Sequence, residues 1–178
     1  MTRSSVRAVV ASIAFAASAV TATGTSAQSA NTSLFTAELN GYNEVPSVST
    51  LGTGFFIARV KPGDTGIDFT LGYSQIQGTP TQAHIHFGQP GVAGGISIWL
   101  CGASTQPGVG PTTCPTSGVI TGTISAGNVI GPSNQLIANG ELSEIIAAMR
   151  AGFAYANVHS DQVPSGEIRG QIRGLAGF

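Results

Sequence analysis

Ile67-Asp68-Phe69-Thr70-Leu71-Gly72-Tyr73 decides the class of fold. Apolar Ile67, Phe69, Leu71 and Tyr73 alternate with Asp68, Thr70 and Gly72. Successive residues of a strand point to opposite faces, so a period of two marks a strand with one face in a core. The pattern recurs on both sides. Upstream, Phe35, Ala37 and Leu39 alternate with Thr36, Glu38 and Asn40, and Phe56, Ala58 and Val60 lead to the turn Lys61-Pro62-Gly63-Asp64. Downstream, Ala83, Ile85 and Phe87 line one face of a piece whose other face carries His84 and His86. After loop signals at Gln89-Pro90-Gly91 and Gly94-Gly95, Ile96, Ile98 and Leu100 resume a strand. Residues 119–125 and the region 128–137 read as further short strands.

One segment has a different period. Leu142, Ile145, Ile146 and Met149 fall at helical spacing, Glu141 and Glu144 sit near the start, and Arg150 lies near the end, where each charge suits the helix dipole. Gly152 is a natural C-terminal stop. This predicts one helix over 142–151. Many short strands and one helix predict an all-β chain, an immunoglobulin-like or superoxide-dismutase-like antiparallel β-sandwich.

Composition narrows the function. The 178 residues include 25 glycines, only 8% are charged and the formal net charge is −1. No basic stripe exists, so nucleic acid is excluded as a partner class. Arg3 and Arg7 precede an apolar, Ala-rich run over 8–20, too short to span a membrane, and Thr25-Ser26-Ala27 suits cleavage before Gln28. The expected organisation is a signal peptide over 1–27, a polar leader over 28–33, one domain over 34–173 and a tail over 174–178. No later run reaches spanning length, so the expected location is periplasmic or secreted. Cys101 and Cys114 lie in a Gly/Pro/Thr-rich stretch, and in an exported chain a disulfide is favoured over free thiols. Closing a loop of that size stabilises by about 3 kcal/mol in the chain-entropy model. No Gly-x-Ser-x-Gly elbow and no phosphate-cradling loop occurs. Asn31-Thr32-Ser33 matches a glycosylation sequon, which matters only in a eukaryotic secretory host.

The C-terminal part reads as a hairpin. Residues 153–159 and 167–173 flank the turn Ser160-Asp161-Gln162-Val163-Pro164-Ser165-Gly166. A symmetric register sets His159 opposite Glu167, Asn157 opposite Arg169 and Tyr155 opposite Gln171. That face is polar; the other carries Ala154, Ala156, Val158, Ile168 and Ile172. Its plain reading is a solvated face with cross-strand charge pairs.

The chain has three histidines, all in two strand-like pieces. His84 and His86 share a face, and His159 supplies a third imidazole if its strand lies alongside. Neutral imidazole ligates zinc and copper well, so His84, His86 and His159 form a candidate site for Cu or Zn. Glu167 is a candidate fourth ligand or a partner orienting His159. Glu44 either pairs with Arg169, caps a loop or joins the cluster. The competing reading is a buried polar seam in which the histidines fix strand register through hydrogen bonds.

Three ordered motifs carry a family resemblance. Phe35-Thr36-Ala37-Glu38-Leu39-Asn40-Gly41 with Asn43-Glu44-Val45-Pro46, then Ala83-His84-Ile85-His86-Phe87-Gly88, then Tyr155-Ala156-Asn157-Val158-His159-Ser160 with Pro164-Ser165-Gly166-Glu167-Ile168-Arg169-Gly170-Gln171, resemble the chordin (CHRD) domain family over 34–172. The departures are Phe87 after His-Ile-His, Ser47 in place of a second proline, and an insertion holding Cys101 and Cys114. The resemblance implies an exported immunoglobulin-like all-β domain. In chordin such domains belong to an extracellular antagonist of growth factors, whose cysteine-rich modules are lacking here. The His-Ile-His-Phe-Gly run is also similar to the copper-binding strand of copper/zinc superoxide dismutase, whose copper site uses more histidines than this chain has. The resulting expectation is a non-catalytic binding module that contacts an extracytoplasmic protein or a surface polymer and carries a His-based metal site. A copper or zinc oxidoreductase and a purely structural envelope protein are the alternatives.

Overall fold

The computed structural model describes residues 32–106 and 108–175. The signal-peptide reading and most of the leader lie outside them. The antiparallel all-β expectation holds. The strands are β1 (Leu34–Asn40), β2 (Thr53–Val60), β3 (Ile67–Ser74), β4 (Pro80–Phe87), β5 (Gly95–Cys101), β6 (Gly118–Ile124), β7 (Ala154–Ser160), β8 (Ile168–Gln171) and β9 (Arg173–Gly174). They form a single hydrogen-bonded sheet in the order β5-β4-β7-β8-β1-β2-β3-β6, with β9 pairing to β1.

The alternation seen in the sequence builds the inner face. Phe35 and Leu39 of β1, Phe56 and Ala58 of β2, and Ile67, Phe69, Leu71 and Tyr73 of β3 are buried in one core with Ala83 and Ile85 of β4 and Ile98 and Leu100 of β5. The sheet curls until its edge strands β5 and β6 come near each other. The connection between them fills the gap: Gly102 N–H donates to Pro111 O at 3.1 Å and Thr123 N–H to Gly108 O at 3.3 Å. The disulfide Cys101–Cys114, Cα–Cα 5.2 Å, ties this connection to the end of β5.

The helix α1 spans Leu142–Ala151, and Leu142, Ile145, Ile146 and Met149 are its buried stripe. It ends at Gly152, whose φ of 77° is the left-handed conformation that glycine adopts without strain. Arg150 grips both oxygens of Asp64 in the β2–β3 turn at 2.6 and 2.8 Å, pinning the helix to the sheet. No helix among the described residues is long and apolar enough to cross a membrane.

The strand expected near 128–137 is absent. Short 3-10 turns over Ala126–Asn128 and Ser133–Gln135 occupy the region. Asn128 Oδ1 accepts from Ser125 N and Oγ at 2.7 and 2.8 Å and closes the first turn. Gly131 at φ 138° followed by Pro132 breaks any extended run before the second. The C-terminal strand expected over 167–173 is also interrupted, becoming β8 and β9 on either side of Ile172.

Candidate metal centre

The two histidine strands are neighbours. β4 pairs antiparallel with β7, with His84 opposite Asn157, His86 opposite Tyr155 and Gln82 opposite His159. His159 is therefore diagonal to His84 on the same face. β7 in turn pairs with β8 in the register read from the hairpin, Asn157 opposite Arg169 and Tyr155 opposite Gln171. The expectation of a solvated polar face fails: His84, His86, Asn157, His159, Glu167 and Arg169 are all buried. Loops fold over this face and bond to it, through Thr50 to Glu167, Gly94 to His86, Pro164 to His159, and Gln89 and Val92 to Arg169.

The imidazoles converge. Ring centroids are 5.3 Å apart for His84 and His86, 4.9 Å for His84 and His159, and 6.3 Å for His86 and His159. One nitrogen from each ring lies within 4.8 Å of the others. The hydrogen bonds fix the tautomers. His86 Nδ1 is 2.9 Å from Gly94 O, and His159 Nδ1 is 2.9 Å from Pro164 O. A carbonyl can only accept, so both Nδ1 atoms carry the proton and both Nε2 atoms present a lone pair. His84 Nδ1 then donates to His159 Nε2 at 3.1 Å. The Nε2 atoms of His84 and His86 are buried and have no hydrogen-bond partner.

Metal-ligating histidines generally donate their second ring N–H to a carbonyl or carboxylate, which sets tautomer and ring direction. His86 and His159 already do so. Tetrahedral zinc at about 2.0–2.1 Å from nitrogen wants ligand atoms roughly 3.3–3.4 Å apart, so an ion here requires the nitrogens to close up from within 4.8 Å and His84 to present a lone pair in place of the Nδ1 proton it gives His159. Trp99 of β5 covers His84 edge-on at a centroid distance of 4.3 Å, and Tyr155 stacks on His86 at 4.7 Å. Trp99 escaped the sequence reading; it is opposite in parity to Ile98 and Leu100, and that signal becomes useful only once β5 is known to border the histidine strand.

The remaining candidates are placed differently. Glu167 turns away from His159: its carboxylate accepts from Thr50 Oγ1 at 2.6 Å, Gln77 N at 2.7 Å and Ser160 Oγ at 2.6 Å. Arg169 lies 3.4 Å from the centre of the Tyr155 ring, in cation–π contact. Glu44 is buried beside Asn157 and within electrostatic reach of Arg169; burial pushes its carboxyl up to about 7 against the pull of that guanidinium. Cys101, at the C-terminal end of β5, and Cys114 are joined in the disulfide and offer no ligand.

The protein-family model for the CHRD domain matches residues 35–172. The chain belongs to the CHRD domain family. The match takes in every strand from β2 to β8, and with them all three histidines. Searches of curated proteins and of solved structures return no significant match. The CHRD domain described here thus carries its polar cluster on the wall formed by β5, β4, β7 and β8, between the core and a cover of loops.

Burial drives the imidazoles of this CHRD domain neutral. Desolvation, reinforced by the neighbouring rings, lowers His84 to about 2, and desolvation lowers His86 to about 4 and His159 below its ordinary value. Neutral imidazole is the ligating form. A pH dependence follows for the metal-free protein. Below the ordinary value of 6.5 the unfolded chain takes up protons on three histidines that the folded chain refuses, so stability present above pH 6.5 is lost as pH falls. Glu44 acts in the opposite sense between 4.5 and about 7, because the folded state holds its proton longer. His84 and His86 against Glu44 leave a net loss of about 1 kcal/mol per pH unit below 6.5 until His86 begins to titrate, and His159 adds to it in the same sense. Urea midpoints should drop steadily from pH 6.5 to 5; a flat or rising midpoint would refute neutral burial.

Proposed function

We propose that this CHRD domain is a non-catalytic binding module of the periplasm or extracellular space whose buried centre, His84, His86 and His159, holds a single Cu or Zn ion. The observation that carries the metal reading is the pair of carbonyl-locked imidazoles, His86 on Gly94 and His159 on Pro164, buried beside His84 with one nitrogen from each ring within 4.8 Å of the others. A seam built only to fix strand register has no need of buried ring nitrogens without partners, since each such group costs about 1–3 kcal/mol. The same burial argues for holding over turnover, because substrate reaching the ion would have to pass Trp99, Tyr155 and the covering loops. Export is supported by the Arg-then-apolar start of the sequence and by the disulfide.

The test is metal content. Protein recovered from its native compartment, and metal-free protein dialysed against Cu or Zn, should each carry about one ion per chain by elemental analysis. Absence of metal in both would overturn the proposal. A superoxide assay on copper-loaded protein separates holding from redox catalysis, and no turnover is expected.

A further inference from the structure

A cleft of about 640 Å³ opens beside Arg169, whose guanidinium lies on the Tyr155 ring. Its lining includes Tyr42, Glu44, Pro90, Arg169, Gln171 and Arg173. Its volume is in the range of small-molecule sites. Charge is scarce in this chain, yet two arginines meet here. Among the described residues Lys61 pairs with Asp68 at 3.1 Å and Arg150 with Asp64 at 2.6 Å, and Arg59 lies away from the cleft on β2. Arg169 and Arg173 have no ion pair within that distance and both line the cleft.

Arg169 is held as a built recognition element. It is 2% exposed, one face of its guanidinium lies on Tyr155, and Nη2 donates to Gln89 O at 3.1 Å and Val92 O at 2.9 Å. Those contacts use one nitrogen and one face, and Nε and Nη1 donate to no acceptor among the described residues. A guanidinium pre-set in this way recognises a planar carboxylate through paired N–H donors. Glu44 does not cancel it. Its Oε1 is turned inward beside Asn157 and Gly166, buried and without a hydrogen-bond partner. Burial pushes that carboxyl up to about 7, so near neutral pH its negative charge is only partial. At the rim, Tyr42 is 76% exposed and offers a ring face, with Asn43 and Ser47 beside it as hydroxyl partners. An aromatic platform, amide and hydroxyl groups, and a fixed guanidinium suit a sugar ring bearing a carboxylate.

We infer that this cleft binds a uronate unit of an acidic saccharide, its carboxylate on Arg169 and Arg173 and its ring against Tyr42. The inference deepens the reading of the domain as a binding module by naming its ligand class, and it is independent of the metal.

The test is calorimetric titration of the whole metal-free protein with trigalacturonate, its methyl ester, and a tetrapeptide with a free C-terminal carboxylate. Trigalacturonate should bind, with the ester and the peptide at least about tenfold weaker, since a charge-assisted pair is lost or the ring is missing. Arg173→Gln, an exposed change that keeps the fold, should weaken binding about tenfold or more, and raised salt should weaken it in parent protein. Glu44→Gln should tighten it several-fold by removing the competing charge. No binding, equal binding of the ester, equal binding of the peptide, or weaker binding by Glu44→Gln would each overturn the inference. Metal uptake, measured on the same preparation, reports separately: uptake without saccharide binding sinks only the cleft, and saccharide binding without uptake sinks only the metal centre.

Discussion

Replacing His84 by alanine is expected to weaken Cu or Zn binding by at least about 100-fold, and His86→Ala and His159→Ala should do the same. The geometry leaves no spare ligand. The three rings are the sole candidate group of metal-ligating side chains among the described residues, and Glu167 is committed elsewhere. Loss of any one imidazole leaves two nitrogens, too few for a stable Zn or Cu site in competition with a chelator. The measurement is competition with a chromophoric chelator at fixed pH, read with the folded state checked by circular dichroism. Unchanged affinity in any one variant would remove that residue from the site. His84→Ala is also diagnostic without metal. It deletes one hydrogen bond, to His159, and the edge contact with Trp99. A metal-free loss of about 3 kcal/mol or more, in a protein whose parent takes up no ion, would establish the register-fixing seam instead.

Much of the wall that builds this centre was legible in the sequence because it rests on local periodicity. The alternation of Ile67, Phe69, Leu71 and Tyr73 predicts β3, the spacing of Leu142, Ile145, Ile146 and Met149 predicts α1, and hairpin symmetry predicts Asn157 opposite Arg169. What local pattern could not supply was non-local. That β4 lies against β7 is a pairing across some seventy residues, and it decides whether three histidines form a cluster or two unrelated motifs. Nor does alternation say what covers a polar face. Tyr155, Asn157, His159 and Arg169 read as solvent-facing because polar side chains usually are; the loops bearing Thr50, Gly94 and Pro164 bury them. The missed turns at 126–135 have a different cause. Apolar Val129, Ile130 and Ile137 gave a strand-like composition, and a side-chain bond from Asn128 and the Gly131-Pro132 pair overrode it.

Glu167 is where that burial has its largest energetic consequence. Glu167→Ala should destabilise the domain by about 3–5 kcal/mol while leaving metal affinity unchanged in the folded protein. The residue is 0% exposed, and three donors converge on it from three parts of the chain: the Thr50 loop, the Gln77 turn after β3, and Ser160 at the end of β7. A carboxylate deep in the protein is tolerable because short hydrogen bonds replace its water. Truncation strands the Gln77 N–H, which cannot rotate to find another acceptor, and frees two loops from the sheet. Glu167→Gln separates charge from shape. Its amide oxygen can take the place of Oε1, accepting from Thr50 and Gln77, but its NH₂ then faces Ser160 Oγ, which already accepts from Val163 N at 3.1 Å. That change should cost about 1–2 kcal/mol, less than alanine. Chemical denaturation of the metal-free variants gives the order, and chelator competition gives the affinity. A drop in metal affinity for Glu167→Gln without loss of stability would return the residue to the ligand set; equal stability of all three proteins would mean its three hydrogen bonds do not hold the loops down.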